Sequence, residues 1–143
     1  MFIGEFNHSI DVKGRLAVPI KFRSKLSDGA VVTRGLDNCL WVYPKQEWIK
    51  LAEKLAALPI SQSDARAFAR LMLAGAFDLE LDKQGRIVLP NYLRQYASLK
   101  NKSVVAGLYN RFEIWDSELW ARYKKGTEEN SSSIAEHLGN LGV

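Results

Sequence analysis

An α+β fold, rich in β-strand and built twice in tandem, is what the sequence predicts. Two observations carry it: an internal repeat, and short alternating apolar runs that are separated by helical spacings. Phe6–Leu26 (FNHSIDVKGRLAVPIKFRSKL) aligns with Phe77–Ala97 (FDLELDKQGRIVLPNYLRQYA) at an offset of 71. Val32–Trp48 aligns with Val104–Trp120 at an offset of 72. The two stretches share eleven identities over 38 positions. Among them are Asp11/Asp82, Gly14/Gly85, Arg15/Arg86, Pro19/Pro90, Arg23/Arg94 and Trp48/Trp120. The offset changes near Asp28–Val31 and Asn101–Ser103, where a polar connection tolerates one extra residue.

In each unit Phe6, His8 and Ile10, or Phe77, Leu79 and Leu81, alternate with more polar residues, as a half-buried strand does. Val12–Lys13–Gly14 and Lys83–Gln84–Gly85 break that alternation, and glycine offers the positive φ of a tight turn. Leu16–Val18 and Ile87–Leu89 suit buried strands. Pro19 and Pro90 end them and suit the start of short helices over Ile20–Leu26 and Asn91–Ala97. A second hairpin pairs Ala30–Thr33 with Cys39–Tyr43 through Gly35–Asn38. Its counterpart pairs Ser103–Ala106 with Arg111–Trp115 through Gly107–Asn110.

Between the units, Gln46–Leu58 carries Trp48, Leu51, Ala52, Leu55 and Leu58 at helical spacing and stops at Pro59. Ser63–Leu73 is a second helix, capped at Ser63 or Asp64, with Ala67, Leu71 and Ala74 as its apolar side. Ser117–Lys124 is a third. The polar run GTEENSSS then reads as a hinge before a short Ile134–Leu141 helix or a frayed tail. The partition that results is a first repeat over 5–47, a helical connector over 48–75, a second repeat over 76–119 and a helical tail over 120–143.

Composition narrows the function classes. The chain of 143 residues is 47% hydrophobic, enough to bury a core. No apolar run reaches the roughly 18–20 residues that a membrane span needs. The opening residues do not read as a leader, since Glu5, His8 and Asp11 interrupt them. Cys39 is the single cysteine, so a disulfide scaffold is excluded and a cytoplasmic protein expected. The net charge of +4 is unevenly placed. Lys13, Arg15, Lys21, Arg23 and Lys25 cluster around the first glycine turn, and Lys83, Arg86, Arg94, Lys100 and Lys102 around the second. The rest of the chain is mildly acidic.

The twin motif Asp-x-x-Gly-Arg, followed by three apolar residues and Pro, is the most informative feature. A turn anchored by an apolar triplet projects the next Arg with little freedom left to lose. Its planar fork then suits a phosphate or a guanine edge. Asp11 and Asp82 either fix that Arg and structure the turn, or merely staple the hairpin. Lys13, Lys21 and Arg23 surround Arg15, and Lys83 and Arg94 surround Arg86, as a phosphate backbone would favour. Tyr92 and Tyr96, in the poorer second copy, read as core side chains rather than contacts to sugar or base.

These residues resemble the MraZ family of bacterial transcriptional regulators, whose fold is two fused SpoVT–AbrB-type units. DVKGR and DKQGR carry the likeness, with VPIKFR, LPNYLR, the opening MFIGEFNHSIDVKGR and the pair GLDNCLWVYP and GLYNRFEIWD, essentially over Met1–Trp120. The resemblance implies a swapped-hairpin β-barrel formed within one chain as a pseudo-dimer. It also implies a ring-like homo-oligomer, cytoplasmic and associated with the nucleoid. Its partner would be double-stranded DNA, at direct repeats in the promoter of the division and cell-wall gene cluster, the protein's own gene included. Arg15 and Arg86 become the leading DNA contacts, and Lys13, Arg23, Arg94, Lys21 and Lys83 secondary ones. Asp11, Asp82, Gly14 and Gly85 structure the hairpins.

Enzymatic chemistry has little support. His8 and His137 are far apart, no second His lies near Cys39, and no Ser-centred nucleophile signature is present. One Cys and two His make no zinc set, and Gly14 and Gly85 are lone turn glycines rather than a phosphate loop. No cofactor or small-molecule substrate is expected, and Cys39 reads as a buried structural thiol. Trp48 and Trp120 read as matched packing anchors, and Lys50, Lys54, Arg66 and Arg70 as a solvated helix face. The competing reading is an oligomeric protein-interaction or antitoxin-like module with little DNA binding, which would offer the helices of the connector to a partner.

Overall fold

A computed structural model of the chain describes Met1–Gly142. Eight strands form: β1 (Phe2–Ser9), β2 (Arg15–Ala17), β3 (Ala30–Arg34), β4 (Leu40–Pro44), β5 (Phe77–Leu79), β6 (Arg86–Val88), β7 (Lys102–Tyr109) and β8 (Phe112–Asp116). Between and after them run six α-helices: α1 (Ile20–Arg23), α2 (Lys45–Ala56), α3 (Ser63–Ala69), α4 (Asn91–Tyr96), α5 (Ser117–Glu129) and α6 (Ser131–His137). Six strands make one antiparallel sheet in the order β1-β7-β8-β4-β3-β5, and β2 and β6 make a separate two-stranded ribbon.

The repeats exchange strands. β1 pairs with β7 of the second unit, and β5 of the second unit pairs with β3 of the first. The two later hairpins meet at β4–β8, centred on Trp41 opposite Glu113, and the ribbon is centred on Leu16 opposite Ile87. Both are pairs of repeat-equivalent positions, so one approximate two-fold axis relates the halves. No closed barrel forms among the described residues: β1 and β5 are the edges of an open sheet, and the ribbon is a separate pair of strands packed against it through Leu16 and Ile87.

The core reflects the same axis. Leu16 and Ile87, Val18 and Leu89, Phe22 and Leu93, and Leu26 and Ala97 are equivalent pairs, and all are buried in one cluster. Leu40, Val42, Phe112 and Ile114 from the sheet complete it. Phe22 sits against Phe2, Phe6 and Phe112, with ring centroids 5.0, 5.3 and 5.6 Å away. On the other face of the sheet Trp48 of α2 packs on Tyr43 at 6.1 Å, and Trp120 of α5 on Trp115 at 5.4 Å. The two tryptophans are thus matched anchors at equivalent places.

Four local expectations are corrected. The turn expected over Gly107–Asn110 lies later, because β7 runs to Tyr109 and the chain reverses at Tyr109–Asn110. Gly107 is a strand residue opposite Gly4, and a Cβ there would come within 2.6 Å of the Phe2 and Ile3 backbone. The helix from Ser63 turns π-helical over Arg70–Ala74, which rotates its inner face. Met72 is buried while Ala67 and Ala74 are exposed, and Thr33 Oγ1 donates to Met72 O at 2.6 Å. Its N-cap position is Gln62, without a side-chain bond, so neither Ser63 nor Asp64 caps it. Finally, α5 continues through GTEE to Glu129 and breaks only at Asn130, whose Nδ2 donates to Gly126 O.

Candidate nucleic-acid interface

Each Asp-x-x-Gly-Arg segment closes on itself in the same way. Asp11 N donates to Arg15 O at 3.1 Å and Gly14 N to Asp11 O at 3.0 Å; Asp82 N to Arg86 O and Gly85 N to Asp82 O repeat this at 2.9 and 3.0 Å. Oδ1 of Asp11 accepts from the amides of Lys13 and Arg15, and Oδ1 of Asp82 from those of Gln84 and Arg86. Oδ2 then accepts from the arginine Nε, at 2.6 Å in the first copy and 2.9 Å in the second. These bonds hold both carboxyls below the usual aspartate range, the Arg backbone amide being the largest cause in each. The aspartates therefore structure the turn and orient the arginine, and the Nη groups stay outside the pairing as donors.

Register decides where the arginines point. In the ribbon Arg15 faces Val88, Leu16 faces Ile87 and Ala17 faces Arg86. Side chains alternate along a strand, and opposed residues share a face. Leu16 and Ile87 point inward, at 0% and 1% exposure. Arg15, Ala17, Arg86 and Val88 hence share the outer face. The Arg15 and Arg86 side chains are 34% and 30% exposed, and as diagonal neighbours their backbones lie about 7–8 Å apart. The two guanidinium groups are brought together on one face of the molecule.

Bonds across the axis lock the ribbon. Val18 N donates to Gly85 O at 2.9 Å and Leu89 N to Gly14 O at 2.8 Å. Gly14 and Gly85 have φ of +82° and +76°, and each lies beneath an arginine of the opposite repeat. A Cβ on Gly85 would overlap the Arg23 guanidinium, and one on Gly14 would reach Arg94 Nε at 2.9 Å. Arg23 Nε donates to Val18 O at 2.8 Å and Arg94 Nε to Leu89 O at 3.0 Å. Arg23 and Arg94 thus have a defined structural task, clamping the opposite turn. Lys13, Lys21 and Lys83 are exposed beside the ribbon, and none of them enters an ion pair among the described residues.

Tyr96 is half-buried against the core, with Oη donating to Gly35 O at 2.7 Å. Tyr92 differs from the core reading: it is 40% exposed and donates to Gly75 O at 2.9 Å. The guanidinium of Arg34 lies 5.7 Å from both rings and ties α4 to β3; no repeated motif marks it in the sequence. His8 is half-buried in β1, where burial and then Arg23 lower its pKa. Cys39 is fully buried, its thiol donating to Leu36 O at 3.2 Å, and burial pushes its pKa up. Among the described residues no three His, Cys, Asp or Glu side chains gather as a metal site, and no helix is long and apolar enough to cross a membrane.

Fold and site together define a tandem β-hairpin protein whose two copies build one cationic ribbon. The profile of the family described as "MraZ protein, putative antitoxin-like" matches residues 1–71 and again 72–139, one match per repeat. A protein of Natranaerobius thermophilus named Transcriptional regulator MraZ is 54% identical over 143 residues, the whole of both chains. Proteins of the same name from Desulforamulus reducens and Halothermothrix orenii are 52% and 50% identical, over 99% and 100% of each chain. The chain belongs to the MraZ family.

Proposed function

We propose that the chain is a sequence-specific DNA-binding transcriptional regulator. It acts as a ring-like homo-oligomer on direct repeats in the promoter of the division and cell-wall gene cluster, its own gene included. The observation that carries this reading is the shared outer face of Arg15 and Arg86 on a two-stranded ribbon. The major groove of B-DNA admits such a ribbon, and an arginine there pairs with the O6 and N7 of guanine. Lys13, Lys21 and Lys83 flank the ribbon as phosphate contacts, while Arg23 and Arg94 add charge beside the turns that they clamp. The tandem works as an intrachain pseudo-dimer, with repeats over 5–47 and 76–119, a connector over 48–75 and a tail over 120–143. Its place is the cytoplasm, on the nucleoid, and it performs no catalytic step.

A patch that neutralises a few phosphates binds weakly alone. Several patches on a rigid ring raise the effective concentration at repeated sites, so +4 per chain suffices. The test is a gel shift on the DNA directly upstream of the protein's own gene, titrated with salt. Log affinity should fall linearly with log salt, and Arg15→Ala should cost about tenfold or more while leaving the oligomer intact. An unchanged complex after Arg15→Ala and Arg86→Ala together would refute the reading.

The words "antitoxin-like" in the family description favour a second function, masking of a protein partner. The groove between α2 and α3, with Leu55, Leu58, Pro59 and Ile60 in its lining, would be the surface for it. A co-purifying protein retained by the double arginine variant would establish that function instead.

A further inference from the structure

The outer face of the ribbon holds a residue that neither the charge pattern nor the repeat accounts for. Arg15 and Arg86 are equivalent, and so are Ala17 and Val88, but the last pair differs in kind. Val88 stands directly opposite Arg15, and Ala17 directly opposite Arg86. Val88 is 50% exposed and contributes nothing to the buried cluster. The first repeat forms the same strand with Ala at this position, so the fold does not require a branched side chain there. A half-exposed apolar side chain beside a fixed guanidinium is matched to a surface that is polar with one apolar point. In the major groove that point is the C5-methyl group of thymine.

We infer that Val88 contacts a thymine methyl next to the base pair engaged by Arg15 and so gives the ribbon a direction on DNA. This rests on the DNA-binding reading above. Opposed residues in an antiparallel pair are about 4.5–5.5 Å apart, and base pairs rise by about 3.4 Å, so Arg15 and Val88 fall on the same or neighbouring steps. With an alanine in place of Val88, the outward side chains of the paired strands would be the same in both orientations. With Val88 they are not: one end carries a branched apolar side chain beside its guanidinium and the other only a methyl. A site read by this face is thus asymmetric within each ribbon footprint.

The experiment uses the full chain and two copies of one probe, the fragment directly upstream of its gene amplified with dTTP or with dUTP. Uracil removes every thymine methyl and leaves pairing intact. The wild-type protein should bind the thymine probe about fourfold more tightly or better, the ratio equivalent to ~0.8 kcal/mol for one buried methyl-sized group. Val88→Ala should bind the two probes with a clearly smaller ratio, whereas Lys13→Ala, which removes a cationic side chain outside the paired strands, should keep the wild-type ratio. Equal ratios for the wild type and Val88→Ala overturn the inference but leave the DNA-binding reading standing. Failure of the wild type to bind either probe overturns both.

Discussion

At the residue scale the two turn glycines and the two turn aspartates are sensitive positions. Gly85→Ala forces a side chain into a φ of +76° and into the Arg23 guanidinium. A left-handed backbone alone costs a non-glycine residue roughly 1–2 kcal/mol, and displacing the clamp adds to that. Gly85→Ala should therefore lower the urea midpoint clearly and weaken the DNA binding proposed above, through Arg23 and Arg86 together. The aspartates set an acid limit. Their carboxyls titrate below the ordinary value of 3.8, so the unfolded chain takes up protons before the folded one does. The stability they contribute is complete above that value and disappears as pH falls through the folded pKa. Unfolding midpoints followed from pH 5 downward should thus decline, and Asp11→Asn with Asp82→Asn should flatten the decline.

At the scale of elements the ribbon depends on its inward side chains. Ile87→Ala empties a site that is 1% exposed and should cost about 2–5 kcal/mol, while the aspartate bonds to the outer arginines stay in place. Measured by chemical unfolding, a cost under 1 kcal/mol would mean that the ribbon is not part of the cooperative core. Much of this architecture was legible beforehand because it is local: Pro19 and Pro90 ending strands, Gly14 and Gly85 turning, Asp11 and Asp82 four residues ahead of an arginine. Less visible was whatever depends on a distant partner. Gly107 looks like a turn residue, yet β1 crosses it too closely for any side chain, and β1 lies about a hundred residues earlier. The π-helical turn that buries Met72 is set by Thr33 and the sheet rather than by helical spacing. Arg34 gained its place between Tyr92 and Tyr96 the same way, and Val88 stood out only once register put it across from Arg15.

For the whole molecule, exchanged strands mean that no half is self-contained. The connector loop between α2 and α3 is exposed at Pro59–Gln62, which makes it the natural site for a protease. A nick there should leave the two pieces eluting together, since β1–β7, β2–β6 and β3–β5 all join residues before the nick to residues after it. Pieces that separate on a sizing column without denaturant would contradict the interlock. The interlock also has a consequence for how the protein behaves when scarce. Proteins that assemble a bipartite reading head from two molecules lose it on dilution, as their subunits drift apart. Here both halves of the ribbon are covalently joined, so a solitary polypeptide leaving the ribosome already owns its complete pair of arginines, however few of its kind the cell contains.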